Sequence, residues 1–143
     1  PNTYNSLGDK IFDKIHFPNL LEDGVPGEGN VLVYVNGNST EQSIIYELAM
    51  PSNFSLKSNF NNEPNIVWSY LNDEIFSGKL CGAIRLPNGN TLITESDYGL
   101  WEVTENGEIA WKYVKDETTN FIWRSYHYTR DGAVSQSLGL FQD

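Results

Sequence analysis

The sequence predicts an all-β fold, and three observations predict it. Apolar β-branched and aromatic residues occur in short runs of strand length. The runs are separated by turn sequences such as Asn36-Gly37 and Asn106-Gly107, which favour the positive φ angles of tight hairpins. No long stretch carries the helical spacing of apolar residues behind an N-cap. Consecutive strands are therefore expected to be antiparallel neighbours.

The predicted elements follow one another closely along the chain. Residues 1–28 show no sustained period and are interpreted as an irregular arm, with one helical turn at most over residues 11–17. Residues 49–65 are rich in Asn, Ser and Pro and are predicted to be a surface insertion. Strands are predicted over residues 31–35, 43–48, 66–70, 83–86, 91–95, 99–103, 109–114 and 122–128.

Size and charge exclude several function classes. The chain has 143 residues, which suits a single domain with a real core. Nine Lys and Arg against 19 Asp and Glu give a net charge of -10, and no segment concentrates enough positive charge for nucleic acid or an anionic lipid surface. No apolar run approaches the roughly 20 residues of a membrane-spanning helix. Neither nucleic-acid binding nor membrane insertion is expected.

The sequence lacks the common metal and cofactor motifs. The single Cys81 excludes an intrachain disulfide and a cysteine-based zinc cluster. The acidic residues lack calcium-loop spacing, and no glycine-rich loop resembles a phosphate cradle that opens a helix. The sequence therefore predicts no cofactor and no metal.

An internal repeat gives the most specific indication of architecture. Three elements recur in the same order: GNVL at 29–32 and GNTL at 89–92, YEL at 46–48 and WEV at 101–103, and IVWSY at 66–70 and IAWKY at 109–113. Tandem units of four antiparallel strands are typical of β-propeller blades, which bury their apolar faces only against neighbouring blades.

This interpretation divides the chain into successive units. Residues 29–70 are predicted to form one blade with the insertion 49–65, and residues 82–114 a second blade. Residues 121–143 are the start of the next blade or a tail, and residues 1–28 are an arm or the end of a preceding blade. The chain then holds about two and a half blades, and the remaining blades, or other protein chains, are its expected partners.

Four segments resemble the arylsulfotransferase propeller family (aryl-sulfate sulfotransferases, ASST-like). They are GAIRLPNGNTLITE at 82–95, WEVTENGEIAWKY at 101–113, PGEGNVLVY at 26–34 and WRSYHY at 123–128. The resemblance implies a six-bladed, commonly exported propeller, and hence a secreted, periplasmic or extracellular location. It also implies transfer of a sulfuryl group from an aryl sulfate to a phenol through a transiently sulfated histidine, without a nucleotide donor.

The resemblance directs attention to the two histidines of the chain. His127 lies between Arg124 and Arg130, and His16 lies in the predicted arm. Both are candidate catalytic residues, because a neutral imidazole is a competent nucleophile near pH 7. For each of them, packing at the edge of a blade is the alternative.

Three arginines are candidate substrate-binding residues, namely Arg85, Arg124 and Arg130. Guanidinium groups bind sulfate through paired hydrogen bonds. Arg85 lies on the first strand of the second unit and is expected to face a central channel. An ion pair with Glu95 or Glu102 is the alternative. The tryptophans Trp68, Trp101, Trp111 and Trp123 are expected at equivalent packing positions between blades.

The sequence thus leaves two functional hypotheses open. The first is an arylsulfotransferase-like enzyme that binds a small aryl sulfate or another anion. The second is a non-catalytic propeller module that binds a partner or assembles into a larger structure, because open strand edges and apolar faces favour further pairing.

Overall fold

The structure is a computed structural model that describes residues 11–57 and 60–141. Within these residues, eight strands and one short helix form: β1 Ile15–Leu20, β2 Val31–Val35, β3 Ile44–Ala49, β4 Asn65–Leu71, β5 Gly82–Arg85, β6 Thr91–Glu95, β7 Gly99–Val103, β8 Ile109–Val114 and α1 Ala133–Ser137. The all-β prediction is confirmed. No helix in these described ranges has the length and apolar content needed to cross a membrane.

The strands form two antiparallel sheets of four. The first sheet has the order β1-β2-β3-β4 and the second has the order β5-β6-β7-β8, so each sheet follows chain order. Every neighbouring pair within a sheet is antiparallel, as the turn sequences predicted. The predicted four-stranded unit is therefore present twice.

The sequence repeat is also a structural repeat. Leu32, Glu47 and Trp68 lie opposite one another across β2, β3 and β4 of the first sheet. Their counterparts in the second sheet lie in the same row across β6, β7 and β8: Leu92, Glu102 and Trp111. Both sheets carry a register shift directly after the glutamate, between Glu47 and Leu48 and between Glu102 and Val103. Such a bulge interrupts the alternation of faces at the same place in both units.

The first turns of the two sheets close in the same way. Leu21 N donates to Asn30 O at 2.8 Å, and Leu86 N donates to Asn90 O at 2.8 Å. Gly29 and Gly89 occupy the left-handed position of these turns, with φ angles of 82° and 89°. A glycine adopts this conformation without the steric cost of a Cβ atom, which explains why it recurs before each second strand.

The predicted irregular arm contains a strand. Residues 15–20 form β1, which pairs with β2, so the interpretation of this part as irregular is wrong. The register shifts between His16 and Asn19, and Phe17 has a positive φ of 49°. This irregularity breaks the two-residue alternation that identifies a strand in a sequence. Residues 1–10 of the predicted arm lie outside the described residues.

The strand predicted for residues 122–128 is wrong. This segment has no regular secondary structure, and it touches the second sheet through single hydrogen bonds. Ser125 N donates to Thr94 Oγ1 at 3.0 Å, and Ile122 N donates to Ser96 O at 3.2 Å. Strand-forming side chains produce a strand only where the backbone pairs with a neighbouring strand, and this segment meets the second sheet mainly through side chains.

The two sheets stack, and the core lies between them. β1 and β2 of the first sheet contact β5 of the second. The buried apolar residues of this core come from both sheets: Leu21, Leu32, Tyr34, Ile45, Tyr70, Ile75, Cys81, Ala83, Ile93, Trp101 and Val103. The face of the first sheet that carries Leu32, Tyr34 and Ile45 therefore packs on the face of the second sheet that carries Ile93 and Trp101.

The four tryptophans do not share equivalent positions. Trp68 and Trp111 are equivalent, since each pairs with the glutamate of the preceding strand. Trp101 corresponds to Tyr46 of the first sheet and is fully buried. Trp123 lies outside the strands and is 69% exposed. The prediction of equivalence is therefore wrong for Trp101 and Trp123, because an aromatic residue in a strand sequence does not reveal which face it occupies.

Candidate functional site

A groove of about 450 Å³ lies along the first strands of the two sheets. Its volume falls in the range of small-molecule sites. β1 and β5, each an edge strand of its sheet, form one side, and residues 126–135 form the other. Two of the predicted site residues, Arg85 and His127, line it.

Contacts between β1 and β5 shape the wall of the groove. Asn19 Nδ2 donates to Ala83 O at 2.9 Å, which links the first strands of the two sheets. Gly82 allows the ring of Phe17 to lie against β5, because a Cβ atom at position 82 would be 2.7 Å from Phe17 Cδ1. The first strands of the two repeat units therefore differ at this point, where one sheet meets the other.

Aromatic contacts hold the C-terminal segment over β1. The rings of Phe17 and Tyr126 meet edge to face, with centroids 6.3 Å apart and an angle of 87°. The guanidinium carbon of Arg124 lies 4.4 Å from the centroid of Phe17. Edge-to-face pairs and cation–π contacts each contribute on the order of 1 kcal/mol. They place the neighbouring His127 at the groove.

His127 is the predicted catalytic residue with the most open position. It is exposed and lines the groove between Tyr126 and Tyr128. Within the part of the chain that the structure describes, its imidazole makes no hydrogen bond. An imidazole in this state can attack an electrophile or exchange a proton.

Arg85 lines the same groove, but its charge is directed to the first sheet. Its Nη2 donates to the carboxylate of Glu47, and both side chains are buried. Its Nη1 donates to Gly89 O at 3.1 Å, and its guanidinium carbon lies 4.8 Å from the ring of Trp68. The predicted alternative partners, Glu95 and Glu102, are wrong, since Glu47 faces Arg85 across the interface between the sheets.

The remaining candidates lie outside the groove lining. His16 Nδ1 lies 2.6 Å from Asn36 Oδ1, and Asn36 Nδ2 donates to Ser77 O at 2.7 Å. The imidazole of His16 therefore belongs to a structural hydrogen-bond chain. The guanidinium carbon of Arg130 lies 5.8 Å from the ring of Phe141. The groove thus brings together Arg85 and His127, and it does not gather His16, Arg124 and Arg130 around them.

A buried polar group was missed from the sequence. Glu95 is only 2% exposed, and its Oε2 atom has no hydrogen-bond partner among residues 11–57 and 60–141. Burial, together with the nearby Asp97 carboxylate, raises the pKa of Glu95 to about 7. Burial also raises the pKa of the neighbouring Tyr34 and Cys81. The alternation Thr91, Ile93, Glu95 along β6 is the signal that could have placed this carboxyl on the buried face.

No group of three or more His, Cys, Asp or Glu side chains suited to a metal ion occurs in residues 11–57 and 60–141.

Comparison with known proteins identifies no relative. No family model, curated protein or solved structure matches the chain. The fold and the groove therefore define an all-β protein of two stacked, four-stranded antiparallel sheets.

Proposed function

We propose that the chain forms consecutive blades of a β-propeller and serves as an assembly module that is completed by further blades. One observation carries the proposal. The second sheet presents outward, at equivalent positions, the glutamate and the tryptophan–tyrosine pair that the first sheet uses to pack on the second. The first sheet packs on the second with one face, and the second sheet exposes the equivalent face. This arrangement is suited to further stacking in the same direction.

Exposure of aromatic residues supports this proposal. Tyr70 on the covered face is 4% exposed, whereas its counterpart Tyr113 is 44% exposed and the adjacent Trp111 is 47% exposed. A monomeric protein rarely leaves several large apolar side chains together in solvent unless they form a binding surface. The outward face of the second sheet is therefore the expected contact surface of the next blade.

The assembly proposal is tested on the purified chain. We expect it to bind a hydrophobic fluorescent dye, because the aromatic face lies open. Dye titration measures this property, and sedimentation velocity checks that the dye binds the 16.2 kDa chain itself. A folded chain that binds no dye would contradict the proposal.

A second candidate function is arylsulfotransferase-like sulfuryl transfer. The position of His127 in a groove of about 450 Å³ supports it. In the first step an imidazole nitrogen of His127 would attack sulfur, the bond from sulfur to the aryl oxygen would break, and the released phenolate would take a proton from water. In the second step the acceptor phenol oxygen would attack sulfur, the nitrogen–sulfur bond would break, and the acceptor proton would pass to water.

Two features bear on this candidate. The guanidinium of Arg85 is engaged by Glu47, so its charge is partly neutralised before a sulfate arrives. The role of His16 is further limited by its short contact with Asn36. The geometry therefore favours the assembly module over the enzyme. The secreted, periplasmic or extracellular location stays a proposal that rests on the resemblance to the arylsulfotransferase propeller family.

The enzymatic candidate is tested with a chromogenic aryl sulfate and a phenol acceptor, in the presence of the complete propeller. We expect His127→Ala to abolish transfer and His16→Ala to retain it, since His127 is the one of these two histidines that lines the groove. Release of the chromophore that is unchanged by His127→Ala, or no release by the wild type, would refute the role of His127.

A further inference from the structure

We propose that the outward face of the second sheet binds a further four-stranded sheet through an arginine that lies between Glu102 and Trp111. This inference rests on the proposed assembly function and specifies the chemistry of the partner. It is drawn from the contact that the two sheets already make with each other.

The internal contact supplies the template. Arg85 of β5 donates to Glu47 of β3 and lies with its guanidinium carbon 4.8 Å from the ring of Trp68 on β4. Asn30 Nδ2 donates to Glu47 Oε1 at 2.6 Å and orients the carboxylate. The first sheet thus offers one carboxylate and one indole, and the second sheet supplies the cation.

The outward face of the second sheet carries a carboxylate and an aromatic pair like those that receive Arg85 on the first sheet. Asn90 Nδ2 donates to Glu102 Oε1 at 2.7 Å, as Asn30 does to Glu47. The rings of Trp111 and Tyr113 are stacked with centroids 6.4 Å apart and an angle of 14°. The rings of their counterparts, Trp68 and Tyr70, are 6.3 Å apart at 10°. The carboxylate and the aromatic pair are therefore already in the arrangement that receives Arg85 at the internal interface.

Glu102 differs from Glu47 in its partners. No ion pair of Glu102 occurs in residues 11–57 and 60–141, where Asn88 and Asn90 are its hydrogen-bond donors. The C-terminal segment meets this face where Ser125 Oγ lies 2.5 Å from Thr94 Oγ1. Trp111 is 47% exposed, Tyr113 is 44% exposed and Glu102 is half-buried.

The charge pattern disfavours a second copy of this chain as the occupant. Leu20 of β1 pairs with Val31 as Arg85 of β5 pairs with Thr91, so Leu20 holds the register position of Arg85. A copy stacked head to tail would place a leucine against Glu102. Two copies stacked face to face would bring two Glu102 carboxylates together, which is repulsive.

Arginine fits this position better than lysine. A planar guanidinium can form paired hydrogen bonds with a carboxylate and stack on an indole ring at the same time. A lysine ammonium group is a compact charge that lacks this flat surface. The expected partner is therefore a four-stranded sheet of the same repeat with arginine in the position of Arg85 on its first strand.

The decisive experiment adds such a sheet to the chain. Residues 72–114 are duplicated directly after Val114, which has the same register position as Leu71, so the natural connection between the sheets is reproduced. The added copy carries Trp111→Phe, so that the original Trp111 is unique. Hydroxyl-radical labelling with mass spectrometry then measures the solvent exposure of Trp111.

We expect labelling of Trp111 to fall about fivefold in the duplicated chain, because the added sheet covers its ring. Arg85→Met in the added copy, or Glu102→Gln in the original, should restore labelling to within about twofold of the wild type. Charge exchange, with Glu102→Arg in the original and Arg85→Glu in the copy, should recover at least part of the protection. Protection that is equal with and without the arginine would overturn the inference while leaving the assembly proposal intact.

A second arrangement covers the case in which the duplicated chain does not fold. Leu20 is 64% exposed, so L20R introduces the required cation on β1. A donor chain with L20R and E102Q is mixed with the wild-type chain, and their association is measured by sedimentation. We expect the donor to bind about tenfold more tightly than a donor with E102Q alone. Equal binding by the two donors would overturn the inference.

Discussion

The same glutamate, tryptophan and tyrosine pattern occurs in different surroundings on two faces: the face of the first sheet that packs on the second sheet, and the outward face of the second sheet. Tyr70 is 4% exposed and Tyr113 is 44% exposed, although both lie next to a stacked tryptophan in equivalent strands. The residues of this surface therefore do not by themselves determine burial. What differs is that a sheet bearing Arg85 covers the first surface. Under the assembly proposal, a further sheet would cover the second surface in the same way.

The largest expected effect comes from breaking the covered interface at its charge. Arg85→Met should lower the free energy of unfolding by about 3–5 kcal/mol, because it leaves the Glu47 carboxylate buried without a cation. Urea unfolding measures this change. The double variant Arg85→Met/Glu47→Leu should recover most of the loss, since it removes both charges. A double variant as unstable as the single one would mean that packing around Arg85, and not charge, is decisive.

A matched pair of substitutions tests the comparison of the two surfaces directly. Tyr70→Ala should cost about 3 kcal/mol of unfolding free energy, because it opens a cavity in the core between the sheets. Tyr113→Ala, at the equivalent exposed position, should cost about 1 kcal/mol or less. Thermal and urea unfolding of both variants provide the measurement. Equal losses would show that the second surface is covered in solution.

A third prediction concerns pH and the buried carboxyl of Glu95. Its pKa is raised from 4.5 to about 7, so its stabilising contribution is complete below about pH 4.5 and is lost as the pH rises through 7. Glu95→Gln should therefore match the wild type near pH 4.5. Above pH 8 it should be more stable, by up to about 3 kcal/mol. Unfolding curves at both pH values test this, and a stability difference that does not change with pH would contradict the assignment.

The smallest effect is expected at the open surface. Glu102→Gln in the unmodified chain should change the unfolding free energy by less than about 0.5 kcal/mol, because Glu102 is only partly buried and has amide donors alone. It also serves as the control for Glu95→Gln, since both variants remove one negative charge. A large loss on Glu102→Gln would show that this carboxylate already has a cationic partner.

Local patterns predicted most strands well. The predicted bounds of β2, β6, β7 and β8 agree with the structure, because their apolar runs are flanked by glycine-containing turns or sharp changes in polarity. β1 was missed because its bulge disrupts the alternation of faces. The strand predicted at 122–128 does not form, since a strand requires backbone pairing with a neighbour as well as suitable side chains, and this segment contacts the second sheet mainly through side chains. These two errors concern contacts that a local window of sequence does not contain.

The site was predicted less completely than the fold. The sequence identified His127 and Arg85, which share the groove. It did not identify Glu47 as the partner of Arg85, because the two residues are 38 positions apart and meet only when the sheets stack. Arg124 could not be assigned to the ring of Phe17 for the same reason, since that contact joins the C-terminal segment to a strand near the N-terminus.

The contact between Glu47 and Arg85 also restricts how one layer can slide over the other. A shift of two residues along β5 would move the guanidinium by about 7 Å, and both charges would then be isolated in an apolar setting. Misaligned stacking therefore raises the free energy of the folded chain far more than correct stacking lowers it. A modest gain in stability thus accompanies strict control over the alignment of successive layers.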